Sequence, residues 1–470
     1  MKIEQIYTGC LAQGAYYIES EGEVAIIDPL REVTPYIDKV AKERASIKYI
    51  FETHFHADFV SGHIDLARKS GATIIFGPGA ETSYDIKVAE DGEIFELGKV
   101  KIKVLHTPGH TLESSTLLLI DKHGKDHAIF SGDTLFIGDV GRPDLAIKSD
   151  LTQEDLAAML FESLRNKIMP LANEVIVYPA HGAGSACGKN MSKETWDTLG
   201  HQKETNYALR ADMLKEEFVK EVTEGILPPP QYFAKNAMLN KMGYDAIDEV
   251  MKRGNTPLSA EEFESAANNN HALIIDTRNK TEFVKGFIPN SIFIGLNGSF
   301  ASWVGTLVVD IQQPILIVAD EGKAEEAIMR LSRVGYDNTL GYLEGGFSTW
   351  VNAGKEVDTI NIISANTLKA RMNKGEELNL LDVRKPGEFE AEHVDGAVSF
   401  PLDYVNQNMD QLDKSKHYTF HCLSGYRSLI FASILKSRGF EQLTDIDGGF
   451  VAITDTDIPR TDFVCASTLK

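Results

Sequence analysis

Short apolar runs separated by polar loops mark the first half of the chain. Val24 to Ile27, Thr73 to Phe76, Ile102 to Leu105 and Glu174 to Val177 are rich in β-branched and aliphatic residues, which predicts buried strands. Met1 to Thr8 alternates apolar and polar positions, so it reads as a first strand with one buried face. Amphipathic stretches such as Thr152 to Lys167 lie between the runs, and the alternation predicts a mixed α/β domain. Trp196 to Val222 is helical in composition, and Pro228 to Pro230 stops it. Tyr232 to Arg253 predicts a helical arm ending at Gly254. A first domain is therefore expected over residues 1–255.

The remainder repeats itself. Leu273 to Arg278 matches Leu380 to Arg384; Glu282-Phe283 and Pro289-Asn-Ser291 match Glu388-Phe389 and Asp395-Gly-Ala397; Leu343-Glu-Gly-Gly-Phe347 matches Ile446-Asp-Gly-Gly-Phe450. Three stations in the same order predict two copies of one domain, over 258–356 and 360–470.

A formal charge of −22 disfavours attraction to nucleic acid or an anionic membrane face. No apolar run is long enough to span a bilayer, and the N-terminus lacks the basic and apolar regions of a signal peptide. The four cysteines, Cys10, Cys187, Cys422 and Cys465, have no repeating spacing, which argues for a reducing compartment. A cytoplasmic protein with no membrane partner is expected.

Thr53-His-Phe-His-Ala-Asp58 follows the apolar run Tyr49 to Phe51, and Thr107-Pro-Gly-His110, Ser131-Gly-Asp133 and Pro179-Ala-His181 each follow a strand-like run. Four loops from strand ends can converge on one ion, and imidazole with carboxylate suits zinc, iron or manganese. A lone histidine of this kind is more often a hydrogen-bonded loop residue; four spaced motifs are not. Arg142, beside this set, offers a planar fork for an anionic substrate group, or else makes an ion pair. Cys187 follows the His181 loop among glycines, as a thiol near the metal or as a buried spacer.

Tyr418 to His421 reads as a strand delivering Cys422-Leu-Ser-Gly-Tyr-Arg-Ser428 into a loop before the helical run Leu429 to Ser437. Inward N–H groups and a helix start favour a reactive thiol there, with Arg427 adding positive charge. Phosphatase loops place five residues between cysteine and arginine; here only four intervene. In the first copy the strand Ile315 to Ala319 arrives at Asp320-Glu-Gly-Lys-Ala, which puts aspartate where the cysteine should be.

The first set resembles the metallo-β-lactamase superfamily over residues 1–250. Within it, Glu52 to Asp58, Ser131 to Phe136, Gly141 to Asp144 and Tyr178 to Gly182 are similar to persulfide dioxygenases. The Cys422 loop, with Asp382-Val-Arg384 and Gly448-Gly-Phe450, resembles rhodaneses. The resemblance implies an αββα sandwich followed by two rhodanese-like α/β domains, the first of them inactive. It also implies one Fe(II) per chain, zinc being the other candidate, held by His54, His110 and Asp133. Phe59 stands where dinuclear relatives carry a histidine, so His56, Asp58 and His181 are expected to orient ligands or, failing that, to hold a second ion. Arg142, Cys187 and Gly425 are expected to meet substrate, and Cys422 with Arg427 to carry catalysis. The implied reaction oxidises a small-molecule thiol persulfide with dioxygen to sulfite, thiosulfate or both, in a homo-oligomer. The rivals are a zinc thioester hydrolase of the glyoxalase II type and a sulfur carrier or redox sensor with a structural metal.

Overall fold

The computed structural model describes residues 1–146 and 151–464; Cys465 lies outside them. The chain divides into two compact units, Met1–Glu249 with Ser332–Gly335, and Val250–Leu331 with Tyr336–Lys470. No helix among the described residues is long and apolar enough to cross a membrane.

The first unit holds two six-stranded sheets. One runs in sequence order through β1 (Lys2–Thr8), β2 (Gln13–Ser20), β3 (Glu23–Ile27), β4 (Ser46–Phe51), β5 (Thr73–Phe76) and β6 (Lys87–Val88). The other comprises β7 (Ile94–Leu97), β8 (Val100–His106), β9 (Ser115–Ile120), β10 (Asp126–Gly132), β11 (Ile176–Pro179) and β12 (Asp197–Thr198). Alternation along β9 and β10 explains the layering. Leu117, Leu119, Ala128 and Phe130 face Tyr16, Ile18, Ile27 and Phe51 between the sheets. Leu118 and Ile129 point the other way, onto Leu156's helix partners Ala157 and Leu160. That helix, Gln153–Ser163, starts at a capping box in which Thr152 and Asp155 satisfy each other's backbone N–H. Helices Thr34–Glu43 and His63–Ser70 pack on the first sheet, completing an αββα sandwich.

Local chemistry breaks the longer helical expectations. Trp196 to Val222 becomes the short strand β12, a helix Leu199–Thr205, a 3-10 turn Tyr207–Leu209 and a helix Lys215–Thr223. Asn206 makes the break, since its side chain caps the turn by accepting from Ala208 N–H. The arm after Tyr232 is two helices, Phe233–Met242 and Ile247–Gly254, parted at Gly243 where φ is +93°.

In the second unit two five-stranded sheets share one topology. The first has β13 (Pro257–Leu258), β14 (Leu273–Asp276), β15 (Ile292–Phe293), β16 (Ile315–Val318) and β17 (Thr339–Leu343), in the order 13-17-16-14-15. The second has β18 (Asn361–Ile363), β19 (Leu380–Asp382), β20 (Val398–Ser399), β21 (Tyr418–His421) and β22 (Leu443–Ile446), in the order 18-22-21-19-20. Every pair is parallel, as buried strands joined by crossover helices require. The repeat extends to a side-chain clamp. Arg278 grips Asp276 through two nitrogens, donates to Gly286 O and lies 4.1 Å from the Phe347 ring centroid. Arg384 does the same with Asp382, Glu392 O and Phe450, at 3.8 Å.

Candidate metal centre and thiol loop

Strand direction gathers the first site. β8 and β10 each run antiparallel to β9, and β11 runs parallel to β10, so the ends leading to His110, Asp133 and His181 share one edge. β3 and β4 are parallel and deliver Asp28 and the Thr53–Asp58 loop together. Gly132 brings the two sheets into contact there. Its φ is +53°, and a Cβ would sit 2.7 Å from Thr53 Oγ1, so no larger residue could precede Asp133 without parting it from the His54 loop.

His54, His110 and Asp133 offer ligand atoms within 4.8 Å of one another, all three buried. His110 Nε2 is 3.3 Å and His54 Nε2 3.8 Å from Asp133 Oδ2; His181 Nε2 is 3.6 Å from Oδ1. The opposite ring nitrogens fix the tautomers. His110 Nδ1 bonds Arg142 O at 2.8 Å and His181 Nδ1 bonds Ala12 O at 3.3 Å, and a carbonyl only accepts. Thr53 Oγ1 gives its proton to Asp28 Oδ2, so it can only accept from His54 Nδ1 at 2.9 Å. Three bare Nε2 lone pairs thus face Asp133, and burial drives the His54 pKa well below its ordinary value, keeping that ring neutral. Both Asp133 oxygens and His181 Nε2 are buried without a hydrogen-bond partner. Such a donor set fits a metal ion.

His56, Asp58 and His181 form a second group of three, and Asp133, His181 and Cys187 a third. His56 also turns towards acids, with Nε2 3.1 Å from Asp28 Oδ1 and 3.6 Å from Glu52 Oε2. Against the opposing pull of burial, Asp28, Glu52 and Asp58 raise its pKa to about 9. Phe59, fully buried, lies on the His56 ring at 4.4 Å between centroids and offers no lone pair. Cys187 is 1% exposed; burial, then the Asp58 and Asp133 carboxylates, push its thiol well above its usual pKa.

The Arg142 fork is taken. It makes a bidentate pair with Asp144 at 2.6 and 2.7 Å and donates to Ala186 O and Leu227 O. Of the two expectations for Arg142 the ion pair is the one formed, and its carbonyl orients His110. Asp28 and Glu52 were not expected as site residues. The signal was present in an apolar strand ending on a carboxylate, Ile26-Ile-Asp28.

In the second unit Cys422 follows β21 and is 1% exposed. Gly425, at φ +92°, turns its N–H onto Cys422 Sγ at 3.1 Å and starts the helix Tyr426–Ser437. Arg427 donates both terminal nitrogens to Glu388, at 2.6 and 2.8 Å. Against the pull of burial, Arg427 holds the Glu388 carboxyl below its ordinary range.

Register corrects the reading of the silent copy. Asp276 pairs with Val318 and Asp382 with His421, so the residue in Cys422's place is Ala319, not Asp320. The glycines agree: a Cβ on Gly346 would strike Ala319 O, and one on Gly449 would strike Cys422 O. Asp320 was misplaced because the apolar run Ile315 to Ala319 continues one residue past the ladder. Ala324 then stands opposite Arg427, and the first copy lacks both groups.

Asp445 lies on β22, paired with Phe420 of the Cys422 strand. Burial pushes its carboxyl to about 7, and its Oδ1 has no hydrogen-bond partner. The folded state therefore holds a proton that the unfolded chain releases near pH 4, so the Asp445 contribution to stability falls as pH rises from about 4 to 7 and is level above. Asp445→Asn is expected to flatten that decline, matching the parent at pH 4 and exceeding it at pH 8 by on the order of 2–4 kcal/mol. Urea unfolding at the two pH values measures it; equal stability of both proteins at pH 8 contradicts it.

The metallo-β-lactamase superfamily matches residues 8–181, and the rhodanese-like domain matches residues 259–353 and 364–456. Human mitochondrial persulfide dioxygenase ETHE1 is 30% identical over 213 residues, 44% of this chain and 74% of that protein. A probable hydroxyacylglutathione hydrolase of Schizosaccharomyces pombe is 31% identical over 166 residues, 35% of this chain. The chain spans 60% of the length of that relative and 58% of a second such hydrolase from the same yeast. A solved metallo-β-lactamase from Staphylococcus aureus subsp. aureus COL superposes with a TM-score of 0.64 at 31% identity, covering 73% of this chain and 98% of its own. With two buried imidazoles and a carboxylate at strand ends of an αββα sandwich, followed in sequence by a repeated Asp-x-Arg clamp, the chain belongs to the metallo-β-lactamase superfamily and carries two rhodanese-like domains.

Proposed function

We propose that this protein is a ferrous persulfide dioxygenase coupled to a sulfurtransferase. The observation that carries this reading is the joining, in one chain, of a two-histidine, one-carboxylate site next to Phe59 with a Cys422 loop of rhodanese type. The net oxidation is R–S–SH + O2 + H2O → R–SH + SO3²⁻ + 2H⁺. Iron held by His54, His110 and Asp133 would supply the redox chemistry that brings dioxygen and the outer sulfur together. The protein's part is orientation. Thr53, Arg142 and Ala12 fix the imidazoles through Nδ1, and Phe59 denies a second ion one ligand. Cys187, buried with Asp133 and His181, adds a thiol to the wall of the site.

Cys422 then moves sulfane sulfur. In Cys422–S–S⁻ + SO3²⁻ → Cys422–S⁻ + S2O3²⁻ the sulfite lone pair forms the new S–S bond, and the electron pair of the broken bond returns to Sγ. No outside oxidant or reductant enters. The Gly425 N–H, already on Sγ, is placed to receive the charge that develops there.

Thioester hydrolysis is the second reading, favoured by the hydroxyacylglutathione hydrolase relatives. Anaerobic purification with metal analysis decides between them. About one iron per chain is expected, with oxygen consumed on adding a low-molecular-weight persulfide. Two tightly held zinc ions with thioester hydrolysis and no oxygen uptake would overturn the dioxygenase reading.

A further inference from the structure

Within the second unit a cavity of about 240 Å³ opens between the silent copy and the Cys422 loop. The silent copy supplies Arg278, Lys280, Phe293 and Asn297, and the loop supplies Ser424 and Tyr426; no carboxylate lines it. In a chain of net charge −22 that is an unusual wall. Arg278 is spent on the Asp276 clamp, and Arg427, the cation within the loop, is spent on Glu388. Lys280 is differently placed. Its Nζ donates to Ser424 O at 2.6 Å, an uncharged partner that uses one of three ammonium donors. It also lies 3.4 Å from where a Gly425 Cβ would be, and the N–H of Gly425 is the one on Cys422 Sγ. The silent copy holds the loop in this position. Tyr426 donates to Gly295 O at 2.7 Å and meets the Phe293 ring edge-on, and Gly298 lacks the Cβ that would strike it.

We propose that this cavity is the docking site for the small sulfur oxyanion that exchanges sulfur with Cys422, with Lys280 of the silent copy as its recognition cation. The first rhodanese-like copy, having lost its own nucleophile, completes the acceptor site of the second. The proposal rests on the sulfur-transfer reading for the identity of the anion. Its recognition chemistry, cations and polar groups with no carboxylate, stands on the cavity alone, and Gly425 links it to Cys422, with Lys280 on its Cβ side and its N–H on the thiol.

The test uses the full chain carrying Lys280→Gln. KM for sulfite in thiosulfate formation is expected to rise about 5-fold or more, the worth of one close, partly screened charge, with kcat within about twofold. Transfer to a neutral thiol acceptor should be unchanged, and Lys280→Arg should restore the sulfite KM. A second measurement needs no turnover: the rates at which iodoacetate and iodoacetamide alkylate Cys422, read by peptide mass. The ratio of anionic to neutral rate should drop about 5-fold in Lys280→Gln. If that ratio drops in a protein whose parent transfers no sulfur, the transfer reading fails and the anion site stands. If both reagents, or both acceptors, slow equally, Lys280 only clamps the loop and the proposal is overturned. An unchanged ratio overturns it as well.

Discussion

Replacing Cys422 by serine is expected to lower thiosulfate formation by about 10³-fold or more while metal content and persulfide-dependent oxygen uptake stay near the parent values. A hydroxyl cannot carry sulfane sulfur, and losing the atom that forms the covalent intermediate removes the route and not merely a rate factor. The metal ligands belong to the other compact unit, built on its own sheets and its own core. Serine is nearly the size of cysteine, so the buried loop and the Gly425 N–H contact need not rearrange. Sulfite should accumulate in place of thiosulfate. A variant that loses its metal as well, or that still makes thiosulfate at the parent rate, contradicts the division of labour.

Asp133→Ala should have the opposite signature, with metal and oxygen uptake lost and sulfur transfer from an external sulfane donor to added sulfite retained. Groups that merely orient metal ligands cost about 10–100-fold in affinity when removed, so a central ligand should cost more than that. The stability outcome is less usual. Both Asp133 oxygens are buried without a hydrogen bond, facing three imidazole nitrogens. Without metal, this side chain is a buried polar group lacking the hydrogen bonds that would offset its burial. The metal-free Asp133→Ala protein is therefore expected to melt no lower than the metal-free parent, whereas metal should raise the melting temperature of the parent alone. A metal-free variant that melts far below the metal-free parent would make Asp133 a structural partner.

Much of this was legible in the residues because strands announce themselves and ligands sit at their ends. His54, His110, Asp133 and His181 each follow an apolar run, and the structure brings all four to one place. The order of the repeat stations was legible for the same reason: Asp276-x-Arg278 and Asp382-x-Arg384 fold into the same clamp. What was not legible depends on register or on distant partners. Ala319 looks like the last residue of a strand until the ladder shows it opposite Cys422. Arg427 looks like a free cation until Glu388, thirty-nine residues earlier, takes both its nitrogens. Trp196 to Val222 carries helical composition, but it opens with a strand paired to β11 and is broken again where Asn206 caps a turn. Lys280 gave no sign at all, since nothing in the first copy's own sequence shows that it reaches the second copy's loop.

The duplicated clamp makes the protein its own experimental control. Both copies keep the aspartate, the arginine and the stacked phenylalanine, although only one keeps a nucleophile. Residues shared by the copies are those that folding demands of this domain. Residues held by the second alone, Cys422 and Arg427 against Ala319 and Ala324, are not required by the fold and are where the proposed chemistry is placed. The comparison separates two kinds of selection inside a single polypeptide, under one history of expression and one cellular environment. The first copy keeps the whole scaffold, clamp included, with alanine where the second carries its cysteine.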